Sequence, residues 1–213
     1  MNSMYFPSKY LEKGKEVLSD IYSFGGSIEV GDIITYKVSG LYGKALDFLS
    51  GNGDNEANHI AVCVGKDKNG EPLIGQCTHY GGLPNKFPQL KGKFTYGTVE
   101  TKPFSENIKA SRGVSVLRLK NIGTNEKKYL TDFFHKNMGT KGKYDFKNTF
   151  RHYSNKIFGT DKEIKPRKGK FNCATVVREA FPEKPIFTTP KNRMSMPHEL
   201  DKEAVEEIYS SDW

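Results

Sequence analysis

The chain has 213 residues, enough for one well-cored domain, and no shift of composition along it marks a second. Charged residues make up 27% of it, and no apolar run approaches the ~20 residues of a membrane-spanning helix, which excludes an integral helical membrane protein. Three cysteines (63, 77 and 173) form an odd set, which argues against a disulfide framework and suits a reducing compartment.

The stretch Met1 to Lys15 has lysines but no apolar segment of leader length and no small-residue cleavage site. The expected location is therefore the cytoplasm, or outside it by a route that needs no cleaved signal. From Ser8 to Tyr22, the residues Tyr10, Leu11, Val17, Leu18, Ile21 and Tyr22 fall roughly on one face, which predicts an amphipathic helix broken by Gly25-Gly26. Gly31-Asp32 is a turn signal that launches a strand over Ile33 to Val38. A short helical piece is expected over Leu41 to Leu49, followed by a Gly/Asn-rich segment at Ser50 to Asn55.

The clearest strand runs from His59 to Gly65, with Ile60, Val62 and Val64 on one face and His59, Ala61 and Cys63 on the other. Lys68-Asn69-Gly70 forms a hairpin turn into a returning strand at Pro72 to Thr78. Gly81 to Lys109 reads as loop-rich, and Gly113 to Lys120 as another alternating strand. Glu126 to Asn137 is a helix carrying Tyr129, Leu130, Phe133 and Phe134, ended by Met138-Gly139. A basic loop follows, then a helix near Phe171 to Phe181 stopped by Pro182, and a Pro-punctuated tail. This order of elements indicates an α+β fold with an antiparallel sheet.

The net charge of +8 is uneven: between Lys141 and Lys170 stand ten Lys or Arg residues and three acids, whereas Glu199 to Asp212 is mostly acidic. The basic run reads first as a solvated loop, and second as a contact for phosphate in nucleic acid, lipid headgroups or another anionic polymer. Tyr144, Phe146, Phe150 and Tyr153 interleave with it, but no RNA- or DNA-binding signature accompanies them, so no specific nucleic-acid partner is expected.

Cys173 is placed in a first helical turn, where the macrodipole lowers a thiol pKa and favours the nucleophilic thiolate. A small core thiol is the competing reading. A nucleophilic Cys needs a base and a third group to orient that base. Of the five histidines, His135 lies on a helix face, His152 in the basic loop and His198 in the tail. His59 opens a strand directly after a polar loop, at a sheet edge that can face a helix start. Cys63 and Cys77-Thr78-His79 match no zinc spacing, so no metal or other cofactor is expected, and Cys63 reads as core.

The ordered set Gly31-Asp32-Ile33-Ile34, Asn58 to Gly65, Leu73-Ile74-Gly75-Gln76, Val114 to Leu119, Gly142 to Phe146 and Asn172 to Val177 resembles the circularly permuted branch of the NlpC/P60 papain-like superfamily. That branch includes YiiX-like proteins and, more distantly, lecithin-retinol acyltransferase-like enzymes. The family has a "GD-apolar" strand, a Ser-His-Val-Gly-like strand, a "YD" segment after a helix and a late Cys helix. A Pro-x-x-Leu is common near the end, as at Pro197 to Leu200. No single motif is specific; the order, with His before Cys, carries the resemblance.

The resemblance implies a single permuted papain-like domain over 1–213: an N-terminal helical extension at 1–28, a catalytic core at 29–200 and an acidic tail at 201–213. It implies Cys173 as nucleophile and His59 as base. The third member is expected at Gln76, with His79 as the alternative; the family often has Glu or His there, and an amide stabilises imidazolium less than a carboxylate does. The backbone N–H of Cys173, with Tyr36 or Asn172, is the expected oxyanion donor set. Gly31-Asp32 is expected to be a structural turn, and Tyr144-Asp145 a scaffold.

The implied activity is cysteine hydrolase chemistry on an amide bond, in peptidoglycan stem peptides or other peptides. An antibacterial effector with an immunity partner, or a phage-encoded enzyme, fits that substrate without a cleaved signal. The alternatives are a lipid-directed acyl hydrolase or acyltransferase, with the basic loop on anionic headgroups, and a catalytically silent binding module.

Overall fold

The computed structural model describes residues 20, 23–38, 57–78, 97–109, 111–139, 144–160 and 162–212. Strands β1 (Ile33–Val38), β2 (His59–Lys66), β3 (Pro72–Thr78), β4 (Thr98–Pro103), β5 (Ser111–Leu119) and β6 (Val205–Asp212) form a 6-stranded sheet in the order β4-β3-β2-β1-β5-β6. Each neighbouring pair in it is antiparallel, so the fold is α+β as the element order requires. Helices α1 (Phe104–Ile108), α2 (Thr124–Asn137), α3 (Phe146–Ile157) and α4 (Cys173–Ala180), with a short 3-10 helix at Pro197–Glu199, accompany the sheet.

The sheet has a core on each face, which follows from the pleat of its central strand. Ile60, Val62 and Val64 point toward α2 and α4, where they pack with Leu130, Phe134, Val176 and Val177. Ala61 and Cys63 point the other way and pack with Ile34, Ile74, Phe104 and Ile108. Cys63 is fully buried, as a core residue should be. The Gly31-Asp32 turn is also structural. Gly31 has φ +98°, and the Asp32 carboxylate accepts from Arg118 Nε (2.9 Å), Arg118 Nη2 (2.8 Å) and the Glu29 N–H (2.8 Å).

Three segments depart from their expected character. The described part of the loop-rich stretch, 97–109, contains β4 and α1. The basic loop contains α3, because Tyr153 finds an apolar seat against Met194, Met196 and Ile164. The acidic tail supplies β6, which pairs with β5 from Leu119↔Val205 to Gly113↔Asp212. Its Tyr209 ring stacks on Phe24 with centroids 4.6 Å apart, an apolar contact that the local excess of charge conceals. The expected helix at Leu41 to Leu49, and that at Ser8 to Tyr22 apart from Asp20, lie outside the described residues.

Gly75 of β3 permits a close approach in the α2-facing core. A Cβ there would stand 2.6 Å from Val64 Cγ1 and 2.7 Å from the Phe134 ring. Gly75→Ala should therefore lower the free energy of unfolding in urea by about 1–3 kcal/mol through overpacking. Gly65→Ala on β2, where an added Cβ meets nothing within 4 Å, should change it by less than about 0.5 kcal/mol.

Candidate active site

The local sequence dictates where α4 begins. Asn172 is extended, and its Oδ1 accepts the Thr175 N–H at 2.6 Å, a side-chain N-cap that starts the helix at Cys173. The same amide donates through Nδ2 to the Ser195 carbonyl at 2.8 Å, tying the helix start to the tail. Residues 173 to 178 and Ala180 are all buried, so the helix is locked in place along almost its whole length.

Helix α4 lies across β2 and β3, which part at this level. Their pairing runs from Lys66↔Pro72 to Val62↔Gly75, the last pair among the described residues. Beyond it, His59 stays paired with Tyr36 of β1, while Gln76 stays paired with Glu100 of β4. Cys173 sits at the opening, where its sulfur takes a backbone hydrogen bond from Ile60 and the Cys77 thiol donates to the Phe171 carbonyl at 3.6 Å. Across the opening, His59 Nε2 and Gln76 Oε1 are 2.8 Å apart. A cavity of about 310 Å³ is lined by Cys173, His59 and Gln76, together with Tyr36, Tyr144 and Tyr153. The residues expected as nucleophile, base and orienter thus share one cavity, with a direct hydrogen bond between the last two.

The hydrogen-bond network assigns the imidazole tautomer. Asn107 of α1 donates through Nδ2 to the Pro103 carbonyl (3.1 Å), which turns its Oδ1 toward Gln76. Gln76 Nε2 donates to that Oδ1 (2.7 Å) and to Glu100 Oε1 (3.2 Å), which turns Oε1 toward His59. An amide oxygen only accepts, so His59 must donate from Nε2, and the neutral ring keeps Nδ1 as its acceptor. The buried amide therefore holds the ring in one protonation pattern. Glu100 also accepts from Thr78 Oγ1 at 3.2 Å and pairs with Lys102 at 3.0 Å. Neither Asn107 nor Glu100 stands out in the sequence; the pairing of β3 with β4 brings Glu100 to Gln76, and the packing of α1 on those strands brings Asn107.

Burial governs the charges. Desolvation lowers the His59 pKa from its ordinary value, opposed by the Gln76 hydrogen bond and the nearby Glu100 charge. Desolvation also pushes the Cys173 thiol up to about 11, opposed by backbone hydrogen bonds from Ile60, Ala174 and Cys173 itself. The expectation that the helix start favours thiolate is thereby corrected, because burial outweighs the first-turn field. At neutral pH the cavity therefore holds a thiol and a neutral imidazole.

Of the two side chains expected as extra oxyanion donors, Asn172 is occupied by its cap and its bond to Ser195. Tyr36 is buried, and its ring centroid lies 6.0 Å from that of His59. Its hydroxyl has no hydrogen-bond partner among the described residues, as is also true of the Thr149 hydroxyl, and both residues line the cavity. Burial raises the Tyr36 pKa well above its ordinary value, so it remains a neutral donor.

The other polar candidates are placed elsewhere. Asp145 is buried and accepts from Arg167 Nε at 2.7 Å and Asn148 Nδ2 at 3.0 Å, a clamp at the start of α3. His152 and His198 approach each other with centroids 6.4 Å apart and do not line the cavity, nor does His135 at the end of α2. His79 lies outside the described residues. Among the described residues, no group of three His, Cys, Asp or Glu side chains could hold a metal ion. Nor is any described helix long and apolar enough to cross a membrane.

No protein-family model matches the chain, and no curated protein matches it. Among solved structures, it is similar to the crystal structure of the metalloprotein yiiX from Escherichia coli O157:H7, DUF1105, with a TM-score of 0.57. The two are 12% identical, over 87% of this chain and 99% of that one. The likeness shows a shared fold.

Two measurements follow from the neutral resting pair. Alkylation of Cys173 by iodoacetamide should keep accelerating above pH 8, toward a thiol pKa of about 11, with no plateau near neutrality. Glu100 raises the His59 pKa, so Glu100→Gln should lower it further, seen as an acid-ward shift of the His59 ring titration by NMR.

Proposed function

We propose that the protein is a cysteine hydrolase that cleaves an amide bond on a permuted papain-like scaffold. The observation that carries this reading is the His59–Gln76 hydrogen bond across the opening in which Cys173 sits. The reaction begins with the Cys173 thiol passing its proton to His59 Nδ1 as sulfur attacks the substrate carbonyl carbon. Gln76 keeps Nδ1 free for that proton. The tetrahedral oxyanion takes hydrogen bonds from the Cys173 backbone N–H and the Tyr36 hydroxyl. His59 then protonates the leaving amine, which departs and leaves a thioester on Cys173. Water, deprotonated by His59, attacks the thioester carbonyl, and the acid leaves with the thiol restored.

A neutral resting pair suits this sequence, since His59 can accept a proton only when it is unprotonated. The acid limb of activity is set by the lowered pKa of His59: activity rises as pH climbs through it and falls below it as the ring protonates. Stem peptides of peptidoglycan, or other peptides, are the proposed substrates. A lipid acyl group is the second reading, favoured by the apolar outer edge of α3, whose residues Thr149 and Tyr153 line the cavity.

The test is to incubate the protein with peptidoglycan fragments and with phospholipid vesicles, using Cys173→Ala as the blank. Release of a new amine from the fragments, absent with Cys173→Ala, is the expected result. His59→Ala should reduce kcat by at least about 10²-fold, and Tyr36→Phe by about 10²-fold with little change in KM. The hydrolase reading fails if Cys173→Ala retains activity, or if Cys173 is alkylated no faster than Cys63 and Cys77 and His59→Ala leaves that rate unchanged. Product from vesicles alone would move the substrate to the lipid class.

A further inference from the structure

Helix α3 has two faces of opposite character. Inward, Tyr153 packs against Met194, Met196 and Ile164, and Asn148 is buried against Asp145. Outward, Phe150 is 73% exposed, Ile157 54% and, just past the helix end, Phe158 76%. Spacings of seven and eight residues put these three on one stripe. Exposed Lys147 and Arg151 flank it on the helix, and exposed Lys162, Lys165 and Lys168 lie in the segment that follows. Residues 146–158 contain no acid. Among the described residues of this segment, both acids are engaged: Asp145 with Arg167 at 2.6 Å, and Glu163 with Arg193 at 3.8 Å and Asn192 at 3.2 Å.

Large aromatic and aliphatic side chains left in water among exposed cations match an element that lies in a membrane interface. The apolar edge enters the boundary between headgroups and acyl chains while the cations meet anionic headgroups. We infer that the outer face of α3 docks on an anionic phospholipid bilayer. A second copy fits less well, since a two-fold contact over this stripe would gather the cations of both helices along one seam with no acid on either helix to meet them. Nucleic acid would satisfy the cations and stack on the rings, but Ile157 has no π-face to offer it. A bilayer uses all three apolar side chains and the cations together. Thr149 and Tyr153 line the cavity from the same helix, so docking brings the cavity to within about one helix diameter, ~10 Å, of the membrane surface. The inference is independent of the chemistry assigned to Cys173.

The full chain is sedimented with vesicles of phosphatidylcholine alone and of phosphatidylcholine with phosphatidylglycerol, at rising salt. Binding to the anionic vesicles, weakened by salt and much reduced on neutral ones, is expected. Lys147→Ala with Arg151→Ala should weaken it roughly thirtyfold, about fivefold per charge. Phe150→Ser with Phe158→Ser should weaken it at least about tenfold, with circular dichroism confirming that each variant remains folded. As a measurement that does not rely on loss of binding, Phe158→Trp in a Trp213→Phe background should shift its emission to the blue and be quenched by brominated acyl chains. Cys173→Ala should bind vesicles like the unaltered protein. Vesicle binding without hydrolysis would support the docking while the hydrolase reading fails, and hydrolysis of fragments without vesicle binding would do the reverse. The inference is overturned by equal binding to neutral and anionic vesicles, by unquenched indole emission from the Phe158→Trp variant, by retention on duplex RNA without vesicle binding, or by a dimer that the Phe substitutions dissolve.

Discussion

The parting of β2 from β3 is the constraint on which the candidate site depends. While the two strands stay paired, from Lys66↔Pro72 to Val62↔Gly75, their backbone groups satisfy one another and leave no room between them. Where they part, each is still held on its far side, β2 by β1 and β3 by β4, so the opening is rigid. The helix start at Cys173 occupies it, and the His59–Gln76 hydrogen bond of 2.8 Å spans it. A side-chain bond spans the gap left by the missing ladder bonds, in the cavity that Cys173 also lines.

The same burial that gives the site its geometry decides its charge state. Removing Cys173 and His59 from water penalises thiolate and imidazolium alike, so both settle in their neutral forms. The amide of Gln76 suits such a pair. It cannot stabilise a charged ring as a carboxylate would, but with Asn107 and Glu100 behind it, it fixes which nitrogen carries the proton. Glu100 sits one residue further out, close enough to pull the His59 pKa upward but without a direct bond to the ring.

Much of this was legible in the sequence, for reasons that differ by residue. The strands at Ile33 to Val38, His59 to Gly65 and Pro72 to Thr78 were readable because alternating residues reflect two buried faces. The helical spacing of Cys173, Val176, Val177, Ala180 and Phe181 and the stop at Pro182 marked out the helix of Cys173. α3 and β6 were obscured, because their local composition is dominated by charge and their few apolar residues gain partners only from distant segments, Met194 and Met196 for Tyr153 and Phe24 for Tyr209.

By itself the sequence determined the element types around the site, the first-turn place of Cys173 and the face of β2 that carries His59, since these depend on local periodicity and on helix stops. The tertiary structure alone decided where β2 leaves β3, which amide atom meets His59, that Asn107 and Glu100 stand behind Gln76, and that burial overrides the helix field at Cys173. Those outcomes depend on residues far apart in the chain (Gln76 and Asn107 are 31 positions apart) and on how much water the packed layers exclude. Neither quantity is encoded in any local window.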